Sequence, residues 1–339
     1  MMKNVINNFI YGNRYNWSDP FTIVIDTRNT KDDGSAANEF LFPQNSTTKD
    51  TYIDFIVDWG DGQFSRIKSN AESKVPHTYS TPGIYTLNFY KPKTTRTLQL
   101  SPRYEDYLNE NNKLLKILRW GKFDNSRACF SHCENLDLSE VEGFTVFNNN
   151  GERNFVGCKS LTTFKGLNDI NFNGTFNRFF EECTNFNQAC NLNITTASNI
   201  INVFYGCTKL NSPIIINAPM ATVLKGFFQG CTIFNILPVF NTPNVTDASN
   251  MFTNCTNFNQ DVSQMLDWSK VTDMANFMTG KTSANYDASY YDNLLIALDN
   301  AGRTDVVLGM GSIKHTSAGL AAKNNLIAKR WTITHGGMI

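Results

Sequence analysis

The pattern Phe-x-x-Cys occurs at Phe130/Cys133, Phe155/Cys158, Phe180/Cys183, Phe204/Cys207, Phe228/Cys231 and Phe252/Cys255. Successive cysteines are 25, 25, 24, 24 and 24 residues apart. A seventh, degenerate copy follows at Phe277, with Gly280 in the cysteine slot. Three residues after each cysteine stands an apolar side chain: Leu136, Leu161, Phe186, Leu210, Phe234 and Phe258. Asn187, Asn211, Asn235 and Asn259 follow directly in the last four copies. No other feature constrains the fold as much. A unit of this length cannot bury its apolar face alone, so neighbouring units have to stack.

The period predicts a leucine-rich-repeat-type solenoid, each coil with a short strand and a short helix. The apolar runs at Leu192–Ile194, Ile214–Ile216 and Pro238–Phe240 read as strands of a parallel sheet. Thr196, Thr246 and Thr272 read as caps of short helices whose last turn carries the inward phenylalanine. The cysteine slot suits a small, soft apolar side chain where the coil turns tightly, which predicts a column of buried free thiols. One cysteine per coil, without a nearby histidine, does not make a tetrahedral metal site. The asparagine column reads as a ladder that satisfies backbone groups of the turns.

The stretch FTNCTNFNQDVSQMLDWSKVTDMANFM resembles the repeat of BspA-like bacterial surface proteins, MFxxCxxFNxDLSxWDVSxVTDMxxMF. The match is closest over 246–278 and extends more loosely back to about residue 123. The resemblance implies an adhesin or surface lipoprotein of a host-associated bacterium, or a bacteriophage structural protein that uses the same repeat.

Ahead of the repeats, residues 21–95 read as β structure, with apolar and polar residues alternating in FTIVIDT, YIDFIVDW and GIYTLNF. Trp59, Gly60, Asp61, Gly62, His77, Tyr79, Pro82, Gly83 and Tyr85 resemble the marker residues of PKD-type immunoglobulin-like sandwiches. Asp58 and Asp61 are candidate cation ligands, against the simpler reading that such an Asp bonds its own turn. LLKILRWGKF, in the connector, is expected to seal the first coil. After residue 280, a helix around SYYDNLLIALDNAG with Ser289 as its cap, a strand at Val306–Leu308, a helix at about 317–329 and a strand at Trp331–Thr334 read as an end cap.

The expected class is therefore mixed α+β: an N-terminal arm (1–20), a PKD-like β-sandwich (21–95), a connector and N-terminal solenoid cap (96–122), a repeat solenoid of about seven coils (123–280) and a C-terminal α/β cap (281–339). Thirty basic residues balance thirty acidic ones, which argues against nucleic acid as a partner, since phosphate binding needs a concentrated basic face. No run of about 18 apolar residues is present, which predicts no membrane insertion. The N-terminus lacks an apolar run of signal-peptide length, which predicts a chain not exported by that route or one whose leader is removed.

His77, His132, His315 and His335 show no metal-ligand or catalytic spacing. The adjacent acids Glu181/Glu182 and Asp32/Asp33 do not establish the facing pair of a glycosidase. The expectation is a non-enzymatic protein without metal or cofactor. Its implied role is that of a virion structural or host-recognition protein of a bacteriophage (adhesin, fibre or decoration), located on the virion. A bacterial cell-surface adhesin, at the cell surface or extracellular, is the alternative, and a glycan-degrading enzyme ranks below both. Its partners would be other virion proteins or a host surface protein or glycan, and it would be a homo-oligomer or part of a larger assembly. Tyr205, Trp268, Tyr290 and Tyr291, outside the repeat register, are the candidate binding aromatics.

Overall fold

FTIVIDT alternates as a half-buried strand should, and it forms β1, Phe21–Asp26. β1 pairs antiparallel with β6, Ile84–Tyr90, in the register Phe21↔Phe89 to Asp26↔Ile84. β3, Phe55–Asp58, lies between β6 and β4, Phe64–Ile67, again antiparallel. β7, Leu114–Arg119, closes the sheet on the far side of β1, giving the order β4-β3-β6-β1-β7.

The structure, a computed structural model, describes residues 15, 18–30, 35–42, 54–68, 72, 75–91, 110–121, 130–143, 146–147, 152–172 and 174–339. They divide between two units: Met1–Asn149 with Gly157–Asp169, and Asn150–Val156 with Ile170–Ile339. Most of the expected N-terminal arm, Cys129 and the Asp32/Asp33 pair lie outside the described residues.

In the first unit the sheet packs Phe21, Phe55 and Phe89 with Phe42, the Phe42 and Phe89 ring centroids 4.5 Å apart. Trp120 sits edge-on to both Phe21 and Phe130. The connector segment LLKILR is thus a strand of this sheet. Its other edge receives the first repeat, where Asp137 N donates to Leu115 O and Glu142 N to Leu118 O. Two buried charge clusters tie the unit together. Asp54 accepts both arms of the Arg66 guanidinium, at 2.8 and 3.0 Å, and the Tyr15 hydroxyl at 2.7 Å. Lys113, fully buried, donates to the carbonyls of Ser35, Ala36 and Glu39, with Glu110 beside it at 3.6 Å. A two-residue strand, β8, Val146–Phe147, also belongs to this unit.

In the second unit β9, Asn171–Phe172, β10, Cys190–Asn193, β11, Ile214–Asn217, and β12, Val239–Asn241, run parallel in that order. Cys190 is aligned with Ile214, and Asn193 with Asn217 and Asn241, so the sheet steps one repeat at a time. A second parallel sheet, β13 (Asp273–Met274), β14 (Val307–Gly309) and β15 (Thr332–Thr334), starts inside the seventh repeat. Helices α1, Ala288–Asn300, and α2, Leu320–Ala328, pack on each other in the same unit. The N-cap of α1 is Asp287, whose carboxylate accepts Ser289 N, rather than Ser289 itself.

These observations correct the expected fold class. The described residues are mostly β, arranged in several small sheets, with only two α-helices, neither inside a repeat, and the coils do not close into a leucine-rich-repeat solenoid. Among its described residues the front module has one five-stranded antiparallel sheet and a small second sheet, the two-residue pairing of β2, Glu39–Phe40, with β5, His77–Thr78.

The reason for the missing helices is local. Arg178, Asn202, Gly226, Asn250 and Asn276 have φ of 57°, 54°, 62°, 58° and 56°. Four residues later Glu182, Gly206, Gly230, Asn254 and Gly280 are again left-handed. A right-handed helix needs φ near −63°, so two left-handed residues per repeat exclude it. The segment instead bonds sideways to the next repeat: Phe180 N to Val203 O, Phe204 N to Phe227 O, Phe228 N to Met251 O and Phe252 N to Phe277 O, at 2.9–3.0 Å. Thr246 and Thr272 cap no helix; their hydroxyls donate to the carbonyls of Thr222 and Thr246, one repeat back.

Candidate functional site

All twelve phenylalanine and cysteine side chains of the repeat register are buried, each 1% exposed or less. In the second unit the rings of Phe180, Phe204, Phe228 and Phe252 stack face to face, with centroids 5.7, 5.9 and 5.7 Å apart. Each thiol donates to a phenylalanine carbonyl one repeat back: Cys183 to Phe155, Cys207 to Phe180, Cys231 to Phe204 and Cys255 to Phe228, at 2.8–3.0 Å. The first unit repeats the bond between Cys158 and Phe130.

Cys133, the first cysteine of the register, departs from the single shared column that the period suggests. It is fully buried, and its N–H donates to Phe130 O at 3.1 Å, as in the other turns. It belongs, however, to the first unit, with the antiparallel sheet, whereas Cys183, Cys207, Cys231 and Cys255 belong to the second. The physical reason is that its repeat hydrogen-bonds to β7 through Asp137 and Glu142. Like the other Phe and Cys residues of the register, Cys133 is part of the core and lies outside the lining of the pocket at the end of the asparagine row.

Burial pushes the Cys190 and Cys255 thiols up to about 12, and those of Cys207 and Cys231 well above their usual value. The described cysteines carry thiols rather than disulfides. The thiols are a structural spine, not a reactive one.

Outside that spine runs the asparagine ladder. Asn187 Oδ1 accepts Asn211 N at 2.9 Å, Asn211 Oδ1 accepts Asn235 N at 3.0 Å, and Asn235 Oδ1 accepts Asn259 N at 2.8 Å. Asn259 Oδ1 then accepts Asp287 N at 2.8 Å, which hands the ladder on to the residue capping α1. A backbone N–H needs an acceptor, so each amide is oriented with its oxygen inward. The Nδ2 groups of these four exposed side chains therefore face outward, and none has a partner among the described residues.

At the end of the row a pocket of about 600 Å³ opens between Asn211, Asn235 and Asn259 on one side and the loop 283–287 on the other. Several bonds pin that loop. Tyr286, buried, donates its hydroxyl to Gln260 O at 2.9 Å; Asn285 Oδ1 accepts Thr282 N; and Ser283 Oγ accepts Lys314 N. Behind the wall lies Lys281, 1% exposed, whose ammonium donates to Thr256 O and Asn285 O at 2.9 and 2.8 Å. Desolvation lowers Lys281 to about 8. Asp287 is the single carboxylate of the lining, and its own helix start holds it below the usual carboxylate range, the Ser289 hydroxyl bond first.

The candidate aromatics divide. Trp268 and Tyr291 are buried, 5% and 0% exposed, with Trp268 Nε1 donating to Ser263 O. They belong to the interior, which removes them as surface anchors. Tyr205 is half-buried in the repeat turn, and Tyr290 is half-buried with its ring 6.1 Å from Tyr286. Asp58 accepts Gly60 N, while Asp61 accepts Gln63 N and His77 Nε2 at 2.9 Å. Burial raises Asp61, yet these bonds hold its carboxyl lower overall. His77 stacks on Trp59 at 4.4 Å, so the Trp59–Asp61–His77–Tyr79 markers form one packed corner. Among the described residues no group of three or more His, Cys, Asp or Glu side chains gathers as a metal site. His315 and His335 pack at 5.4 Å, and Glu181 is half-buried beside the exposed Glu182 without facing it across a cleft.

The sequence reading missed the loop 283–287, which carries no repeat signature. The signal for it was the run of Ser, Asn and Asp directly after the seventh copy.

Residues 123–235 and, overlapping them, 174–291 match the family model described as "Mycoplasma protein of unknown function, DUF285". The match supports a BspA-like repeat protein of the surface class. No curated protein and no solved structure gave a significant match to the chain. No helix among the described residues is long and apolar enough to cross a membrane.

Proposed function

We propose that this chain is a non-catalytic recognition protein that binds a partner surface through the outer, asparagine-bearing edge of its repeats. The observation that carries the reading is the ladder from Asn187 to Asp287: a row of exposed side chains, each immobilised by one backbone bond, that ends in a pocket. Groups held in place before contact lose little freedom on binding, which is what a recognition surface needs. The repeat match to a BspA-like family agrees with an adhesin-type role. The proposal takes two alternative placements, on a bacteriophage virion or on a bacterial cell surface.

Labelled protein added to intact bacterial and epithelial cells should bind saturably and be displaced by unlabelled protein. Lack of saturable binding to either would overturn the recognition role, and turnover of cell-surface glycans by the purified protein would overturn the non-catalytic half. Antibody-gold labelling of purified virions and of intact bacterial cells decides between the two placements.

A further inference from the structure

We infer that the pocket between the asparagine row and the loop 283–287 is a binding site for a neutral glycan; this deepens the recognition role proposed above and rests on it. Asn211, Asn235 and Asn259 line the pocket, and each keeps a carboxamide nitrogen with two N–H groups that has no partner among the described residues, its oxygen being committed to the next repeat. The parallel register repeats those donors at roughly the 4.8 Å spacing of adjacent strands. Across from them, Asp287 keeps Oδ2 free as an acceptor, since Oδ1 takes both Ser289 bonds. A partner that satisfies such a surface must carry many small groups that both accept and donate, spread along a line. Hydroxyl groups of a saccharide chain do so.

The charges and apolar surface rule against the other classes. No lysine or arginine side chain lines the pocket, and Lys281 is turned into the wall, where two backbone carbonyls take its ammonium. A phosphate, sulfate or carboxylate ligand would meet Asp287 with no cation to offset it. An apolar ligand would find only Ile233, Ala284 and Tyr286 among a lining otherwise made of Asn, Ser, Thr and Asp. The pocket is also built to keep its shape. Its ladder wall is bonded repeat to repeat, and its loop wall is held by Tyr286 to Gln260 O and by Ser283 to Lys314 N.

The test uses the full chain with short linear neutral oligosaccharides (cello-, malto-, manno- and chito-oligosaccharides) as probes, a heparin-derived oligosaccharide of similar length as the anionic control, and titration followed by NMR. At least one neutral series should bind saturably and shift the side-chain amide resonances of Asn235 and Asn259. Asn235→Asp and Asn259→Asp keep the inward oxygen that holds the next repeat and remove the outward N–H groups. Each should weaken that binding about tenfold, the worth of one or two neutral hydrogen bonds, with the melting temperature unchanged. If a variant fails to fold, the amide shifts in the parent protein still decide the matter. The inference falls if no neutral oligosaccharide binds, if the bound one leaves the Asn235 and Asn259 amides unshifted, if both folded variants bind like the parent, or if only the heparin fragment binds. Should labelled protein still bind cells while all neutral probes fail, the glycan assignment alone is overturned. Should cell binding fail too, the recognition role goes with it.

Discussion

The thiol of Cys207 donates to the carbonyl oxygen of Phe180 at 3.0 Å, one repeat back, while that same oxygen lies within reach of Cys183 N at 3.1 Å. One carbonyl thus uses both lone pairs, one within its own turn and one between turns. Cysteine suits the slot because a thiol is small and apolar enough for the core and still a weak donor. Serine would match the donor but would bring a strongly polar hydroxyl with a single partner into a site where burial is complete.

Cys207→Asp should therefore lower the stability of the second unit by about 3–5 kcal/mol, because it buries a carboxylate without a cation. Cys207→Ala should cost only about 1–2 kcal/mol, a small cavity and one weak bond. Urea unfolding of the two variants checks the order; equal midpoints would mean the column does not face the interior.

Alkylation gives an independent check. The thiolate is the reactive form, and burial suppresses it at Cys190, Cys207, Cys231 and Cys255. Treated with iodoacetamide at pH 8, the native protein should carry no label at these four positions by peptide mass spectrometry, and all four should be labelled in denaturant.

Asn250 tests the absence of helix in the repeats. With φ at 58°, Asn250→Gly should be neutral within about 0.5 kcal/mol, whereas Asn250→Ala should cost about 1 kcal/mol, the penalty of a left-handed alanine. In a helix the order would reverse, since glycine is there worse than alanine by about 1 kcal/mol. Thermal melts of the pair separate the two geometries.

Lys281 predicts a pH dependence. Its folded value of about 8 lies below the ordinary 10.5, so between these values the unfolded chain holds a proton that the folded chain has released. Stability should then rise as pH increases from about 8 toward 10.5, by the linkage relation. Below 8 both states are protonated and this contribution is flat. In Lys281→Met the rise should vanish, as read from denaturation midpoints at a series of pH values.

How much of this was legible beforehand depends on the range of the interaction. The period, the inward phenylalanines and thiols, and the asparagine ladder all follow from identities repeated at 24 or 25 residues, because stacking puts equivalent positions side by side. The period could not show that Cys133 falls in a different unit from Cys183, since both carry the same local pattern. The C-terminal helices and strands were legible from apolar spacing and caps, with α1 capped by Asp287 instead of Ser289. Helix inside each repeat was misread, because a threonine-led segment with an inward phenylalanine looks the same in sequence whether its asparagine is right- or left-handed. Two of the four candidate aromatics, Trp268 and Tyr291, lie in the interior, and in sequence they differ from exposed aromatics only in what packs around them.

Local identities suffice to show that two dozen residues make one repeat and which side chains those repeats share, since periodicity is a property of the chain. Tertiary structure decided what periodicity does not encode. It turned the segment between strand and cysteine into left-handed turns bonded to the next repeat, and placed LLKILR in the sheet of the first unit. It also brought the loop 283–287 against Asn235 and Asn259. Each of these rests on contacts between segments that carry no common pattern, and such contacts exist only once the chain has folded.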